Sequence, residues 1–509
     1  MLKSPTKLFL EPWSKTALIW LLAAILTGAF LRFWQLGTYP PGFTWDEAAI
    51  TYDAWSISQW GHDHWGQAWP MAFRSLGDYK APVTIYLLAG LFKVAGLHFW
   101  AIRYVTAVFG TLLIAVTYLI TLKLGQNKKY PLALTAAWLT ALAPWLIHLS
   151  RIGYEAGIAT TLTALGVYFW LRATTKRPGW SLVGTLFFTM SFFTYQSPKI
   201  VIPLLFVIIT WYVSRKVNLP RKWYVLSGVL IGLCLTILIG TFATSGQRAL
   251  TTLVLSGPVA KILLIHLIDH LRWLYVINGQ EATLRHMVPG YGLLAIWALP
   301  FFIAGWWKLR NNHRELVFLG GWFLAALIPS IIGQPSPHTL RLMGIAPVIQ
   351  IITALGLVSM ADLLNRRVSP KAKLIFIGGI VVVLSYGLSR FWFDYRTTYP
   401  QMAAGQFQFG YQQAMAVIKP YLASADHIYV TDAYGPGYIY ALLYNRITAR
   451  EFLAGGLANF TFGPIHWPSV EPNAIFVGTP QEIPVTDIQV FKTIFYPNGE
   501  PAFVIARRQ

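Results

Sequence analysis

Apolar runs of about twenty residues recur along the chain, near 16–34, 100–122, 131–149, 156–172, 180–194, 199–213, 223–242, 290–307, 315–333, 343–362 and 373–393. Runs of that length match the hydrocarbon thickness of a bilayer. The pattern predicts an α-helical polytopic membrane protein with about 11 transmembrane helices. A shorter apolar run, Val83 to Ala95, cannot cross and is read as a helix lying at the outer interface. Thr16 to Trp34 is read as an uncleaved first helix, because it is longer than a signal-peptide core and lacks a small-residue cleavage site. Residues 394–509 change character: Met415–Leu422 and Gly437–Tyr444 read as helices, and His427–Thr431, Ala474–Val477 and Ala502–Ala506 as strands. The division is therefore a transmembrane domain over 1–393, with a first outer loop at 35–99, and a small C-terminal α/β extracytoplasmic domain over 394–509.

Composition agrees with a membrane protein: 55% of residues are hydrophobic and 12% charged, against about 25% charged in soluble domains. The formal charge of +21 would suit nucleic acid, but its distribution argues otherwise. Basic residues gather in alternate loops, at Lys123, Lys128 and Lys129, at Arg172, Lys176 and Arg177, at Arg215, Lys216, Arg221 and Lys222, at Lys308, Arg310 and Arg314, and at Arg366, Arg367, Lys371 and Lys373. With Lys3, Lys7 and Lys15, these define the cytoplasmic side. The N-terminus is expected inside a cell (inner or plasma) membrane and residues 394–509 outside, with no nucleic-acid partner. Cys234 is the only cysteine, so an internal disulfide is excluded.

The first outer loop is the longest polar stretch early in the chain, and its aromatic content argues against disorder. Thr44-Trp45-Asp46-Glu47 has the form of a capping box, which predicts a short helix from Thr44 to about Trp60, ended by Gly61. Asp46 and Glu47 then point about 100° apart, so a helix-dipole role for one and a capping role for the other stand beside any chemistry. Gly77-Asp78-Tyr79-Lys80-Ala81-Pro82 leads into the next helix, where Lys80 either meets an anion or pairs locally with Asp78.

Further ionisable residues mark the outer ends of the runs: Arg103, Arg151 with Glu155, Lys199 near Tyr195, and His338 with Arg341. Singly they have ordinary readings: snorkelling for Arg103 and Lys199, an i,i+4 pair for Arg151 and Glu155, a satisfied interfacial group for His338. Jointly they place cations on the side that the positive-inside rule disfavours, which points to an anionic ligand head group. No phosphate-binding G-x-x-x-x-G-K-[ST] loop, H-E-x-x-H, C-x-x-C pair or G-x-S-x-G elbow occurs.

Three stretches, PPGFTWDEAAITYDAWSI, FRSLGDYKAPVTIYLLAGLFKVAGLHFWAIRYVTAVFGTL and SPHTLRLMGIAP, resemble the bacterial family 39 membrane glycosyltransferases of the C type, relatives of the protein O-mannosyltransferases and of the aminoarabinose transferase of lipid A. The resemblance implies transfer of a sugar from a polyprenyl-phosphate carrier to an extracytoplasmic lipid, glycan or protein, with inversion. It implies that Asp46, with Glu47 beside it, supplies the base. It implies that Lys80 holds the carrier phosphate, here in Lys-Ala-Pro where relatives often carry Lys-Pro-Pro. Asp78, Tyr79, Arg103, Arg151, Glu155, Lys199, His338 and Arg341 are the further candidates for carrier or substrate contact. The scheme needs no cofactor, since the lipid-linked sugar is a substrate, and leaves divalent-cation dependence open. A transporter or flippase of a lipid-linked sugar is the alternative; it would be expected to show internal repeats and polar groups at mid-span, whereas here the polar groups gather at one face.

Overall fold

A computed structural model describes residues 15–125, 129–241, 253–254, 257–367, 369–466, 473–483, 486 and 488–508. The basic residues Lys3, Lys7 and Lys128 and the start of the outer segment at 243–252 lie outside the described residues. The chain begins with α1 (Lys15–Phe33), followed by the loop elements α2 (Trp45–Trp60), β1 (Phe73–Ser75), β2 (Asp78–Lys80) and α3 (Pro82–Ala95). The helical body continues through α4 (Ala101–Leu124), α5 (Lys129–Leu142), α6 (Pro144–Leu149), α7 (Glu155–Arg172), α8 (Trp180–Phe192), α9 (Pro198–Ser214) and α10 (Arg221–Gly240). Later long helices cover Leu299–Leu309, His313–Ile331, Ala346–Arg367 and Pro370–Arg396.

Each apolar run contains helix, the one at 290–307 only from Ile296 onward, but the count of about 11 crossings is not reached on length and hydropathy. Among the described residues six helices are long and apolar enough to span a bilayer. The run at 131–149 breaks at Pro144, where the ring removes a backbone donor and a second helix starts. Several other runs are shorter than a full crossing, as in Trp180–Phe192 and Leu299–Leu309. The protein is thus a multi-pass membrane protein with a mixture of full-length and short apolar helices.

The last long helix runs on to Arg396, past the boundary expected at 393. Beyond it lies a five-stranded mixed sheet in the order β4 (Phe460–Phe462), β3 (Ile428–Val430), β5 (Ile475–Gly478), β7 (Pro501–Arg508), β6 (Ile488–Phe495). β3 pairs in parallel with β4 and β5, and β7 runs antiparallel to β5 and β6. The strands β4 and β6 were not foreseen: β4 has no alternation long enough to read, and β6 buries only one of its eight positions.

This sheet unit shares its core with the first outer loop. Phe43, Ala48, Tyr52, Ile85 and Ile102 pack in one cluster with Tyr411, Met415, Ile439, Leu442 and Phe503. The seam is also polar: Tyr440 donates to the Phe43 carbonyl (2.8 Å), Tyr52 to that of Ile447 (2.7 Å), and the Trp45 N–H to Gln408 Oε1 (3.3 Å). Gly42 sits at φ +74° with its α-carbon against the Phe407 backbone, where a Cβ would fall 2.3 Å from the carbonyl oxygen. Only glycine fits that approach.

Candidate active site

The site is built on α2. The Thr44 side chain accepts the Glu47 N–H and the Glu47 carboxylate accepts the Thr44 N–H, closing the capping box, and Gly61 ends the helix at φ +74°. Asp46 and Glu47 leave the helix in different directions and meet different partners, as the 100° offset requires. Asp46 reaches across 34 residues to the Lys80 ammonium. Lys80 is delivered by the β1–β2 hairpin, whose two-residue turn, Leu76-Gly77, has both residues at positive φ, the form that matches strand twist. Pro82 then opens α3 at its first turn.

Glu47 is wholly buried. It accepts from Arg103 Nε (2.6 Å) and Nη2 (2.9 Å) and from the Gly153 N–H (2.8 Å). Arg103 also donates to the carbonyls of Pro40 (3.0 Å) and Gly42 (2.7 Å). Glu47 and Arg103 together lock the loop to α4, and this structural part stands beside the expectation that Glu47 is catalytic and Arg103 binds substrate.

Arg151, expected at the carrier or substrate, is likewise engaged by backbone in this structure. It does not pair with Glu155; it donates to the carbonyls of Leu31 (2.9 Å), Arg32 (3.1 Å), Trp34 (2.7 Å) and Tyr39 (2.9 Å), fastening the exit from α1. The terminal nitrogens of a buried guanidinium can take carbonyl oxygens as acceptors, and spacing in sequence does not disclose that.

The remaining candidates converge. Asp46, Asp78, Tyr79, Lys80, Glu155, His338 and Arg341 line one cavity of about 360 Å³, together with Tyr195 and Gln196. Lys199 stands to one side, donating to Gln196 Oε1 (2.7 Å) in a smaller neighbouring cavity that Lys80 also borders. Arg341 donates to the Gln334 carbonyl (2.6 Å) at the rim.

Two important wall residues were missed, Arg285 and His286. Arg285 stacks over the Trp45 ring at 4.6 Å, and its Nε and Nη1 are buried without a hydrogen-bond partner among the described residues. Burial alone would lower its pKa, but the nearby Tyr154, Asp46, Tyr440 and Glu47 outweigh it and raise the guanidinium above its ordinary value. It is a fixed cation with unused donors. The signal was present: an arginine in EATLRHMVPG, a segment expected from the sequence to lie on the side where basic residues are disfavoured.

Residues 79–240 match the profile of the family described as dolichyl-phosphate-mannose-protein mannosyltransferase. ArnT from Cupriavidus metallidurans bound to undecaprenyl phosphate superposes with a TM-score of 0.53 at 16% identity, over 97% of this chain and 98% of that one. Its apo form gives 0.55 at 14% identity, over 96% and 97%. The Archaeoglobus fulgidus oligosaccharyltransferase AglB, in complex with an inhibitory peptide and a dolichol-phosphate, gives 0.53 at 13% identity, over 91% and 69%. The shared fold is that of the C-type membrane glycosyltransferases. A search of curated protein sequences finds no match. The C-type fold extends over the sheet unit as well as the helices, since ArnT is covered almost end to end. The matched family stretch contains Tyr79, Lys80 and Glu155 but not Asp46, Arg285 or His338.

Proposed function

We propose that this chain is a glycosyltransferase that moves a sugar from a polyprenyl-phosphate carrier to an acceptor on the extracytoplasmic side of the membrane, with Asp46 as the base. The observation that carries the reading is the contact between the Asp46 carboxylate and the Lys80 ammonium on the wall of a cavity that also holds Arg285. A base beside cations is what displacement at an anomeric carbon with a phosphate leaving group requires. The acceptor oxygen forms a bond to the anomeric carbon as the bond from that carbon to the phosphate oxygen breaks. The electron pair stays on the phosphate, and the acceptor proton passes to Asp46. The phosphate gains charge as it leaves, so fixed cations assist it where a general acid is unnecessary. An arriving phosphate competes for the Lys80 ammonium and frees an oxygen of Asp46 for the acceptor. Direct displacement inverts the anomeric centre.

Support from the matched proteins is of the same kind: the family profile is named for a dolichyl-phosphate sugar donor, and one solved relative holds undecaprenyl phosphate. The acceptor class, whether protein, lipid or glycan, is left to experiment. Asp46→Asn keeps the size of the side chain but removes the base. Turnover should fall at least about 100-fold, while polyprenyl-phosphate binding in nanodiscs and thermal stability stay near those of the parent chain. Near-normal turnover in this variant would remove Asp46 from the chemistry.

A further inference from the structure

The far end of α2 carries a second pocket. Asp46 lies in the first turn of the helix, whereas Trp55, Ser56, Gln59 and Trp60 lie towards its C-terminal end. At about 1.5 Å per residue they stand roughly 14–21 Å along the helix from Asp46. With Thr448 and Arg450 of the sheet unit they line a cavity of about 240 Å³, which shares no residue with the reaction cavity. We propose that this pocket binds one pyranose ring of a saccharide, at a site separate from the reaction cavity.

The two walls are tied together beside the pocket. The Tyr52 hydroxyl donates to the Ile447 carbonyl at 2.7 Å, one residue before Thr448. Thr448 opens the short helix Ala449–Leu453 with a capping box closed by Glu451, which fixes the start of the segment that carries Arg450. Trp55 packs edge-to-face against Tyr52, with 5.8 Å between ring centres. Trp60 stacks on the His62 ring at 4.2 Å, and the Arg450 guanidinium lies 5.2 Å from its centre. Both indoles are thus held in orientation yet only half-buried. Aromatic walls with a few polar groups, set between two packed units, are the usual make-up of a small-molecule site.

The chemistry of the lining selects the ligand. A pyranose ring has an apolar face of C–H bonds and a rim of hydroxyls. Its C–H hydrogens carry slight positive charge and suit the negative face of an indole. Each hydroxyl both donates and accepts, so it needs neighbours of both kinds. The Gln59 amide offers both and the Arg450 guanidinium offers donors in one plane, and among the described residues neither is committed to a hydrogen bond. The Ser56 hydroxyl donates to the His62 carbonyl at 2.7 Å and keeps lone pairs to accept. Other ligands fit less well. A quaternary ammonium would meet the charge of Arg450, a phosphate would find a single cation, and an extended peptide would find no strand edge among the lining residues. The volume is below the range of about 300–1,000 Å³ that holds drug-sized ligands, which suits one ring. The pocket is defined without reference to the donor, the base or the reaction assigned above.

The test measures binding and not turnover. The full chain is placed in nanodiscs, free of sugar-headed detergent, and titrated with the methyl glycosides of mannose, glucose, galactose, N-acetylglucosamine and glucuronic acid, read by saturation-transfer NMR. At least one should bind saturably. Arg450→Ala should weaken that binding about tenfold or more, and Trp60→Ala should abolish it while Trp60→Phe keeps most of it. A diazirine derivative of the bound glycoside, applied to the unsubstituted chain, should label peptides that contain residues 55–60 or 448–450, a readout that no folding defect can imitate. Absence of saturable binding by every glycoside, or labelling confined to other peptides, would overturn the pocket. So would binding that survives Arg450→Ala and Trp60→Ala but is lost in Lys80→Ala, since the sugar would then sit in the reaction cavity.

Discussion

Two adjacent acids in α2 have separate fates. Asp46 is part-exposed at the cavity, whereas Glu47 is buried between the backbone of Thr44 and the Arg103 guanidinium. Glu47→Gln would still serve a capping box, but it leaves a buried arginine without its counter-charge. Breaking such a pair from one side costs about 3–5 kcal/mol, so the variant is expected to lose thermal stability sharply, measured by unfolding in detergent. Loss of turnover with full stability would instead give Glu47 a chemical part. Lys80→Ala should behave oppositely. A charge-assisted contact to phosphate is worth about 1.5–3 kcal/mol, so carrier affinity should fall roughly ten- to hundredfold while the fold persists. Unchanged affinity for polyprenyl phosphate in this variant would leave Lys80 as a partner of Asp46 and nothing more.

At the scale of elements, the first outer loop is held by a second acid–base pair remote from the cavity. Asp53 Oδ1 lies 2.6 Å from His64 Nδ1 and also accepts the His64 N–H at 3.2 Å. Burial acts to lower the His64 pKa, but Asp53 outweighs it and holds the imidazole above its ordinary 6.5. A histidine whose folded value is raised stabilises the folded state fully below its unfolded value. That contribution is lost as pH rises through the folded value. Backbone amides of α2 should therefore exchange hydrogen faster, after correction for intrinsic rates, as pH rises from about 6 upward. His64→Gln should flatten the pH dependence. An α2 whose protection does not respond to pH would mean that the pair is uncharged throughout.

For the molecule as a whole, the sheet unit is less an appendage than the outer half of the site's support. Its Gln406 accepts the Leu284 N–H at 2.8 Å, next to Arg285, and its Tyr440 holds Phe43 just before the α2 cap. The alternation of basic loops predicts the orientation in the membrane. A reporter fused at Asn311 is expected on the cytoplasmic side and one at Asn473 on the opposite side. Both reporters on one side would refute the orientation.

Hydrophobic runs, the capping box, the α3 start at Pro82 and the strands around His427–Thr431 and Ala502–Ala506 were all legible in the chain itself. They depend on local chemistry: apolar length against a bilayer, a side chain three residues from a backbone donor, a ring that lacks one. What the amino-acid order could not decide is which charges meet. Asp78 and Arg151 had nearer partners in sequence, yet Lys80 joins Asp46 from 34 residues away and Arg103 joins Glu47 from 56. Glu281 is seated by Thr339, 58 residues on. Pairing of buried charges is set by distance and desolvation, and both exist only once helices, hairpin and sheet have packed.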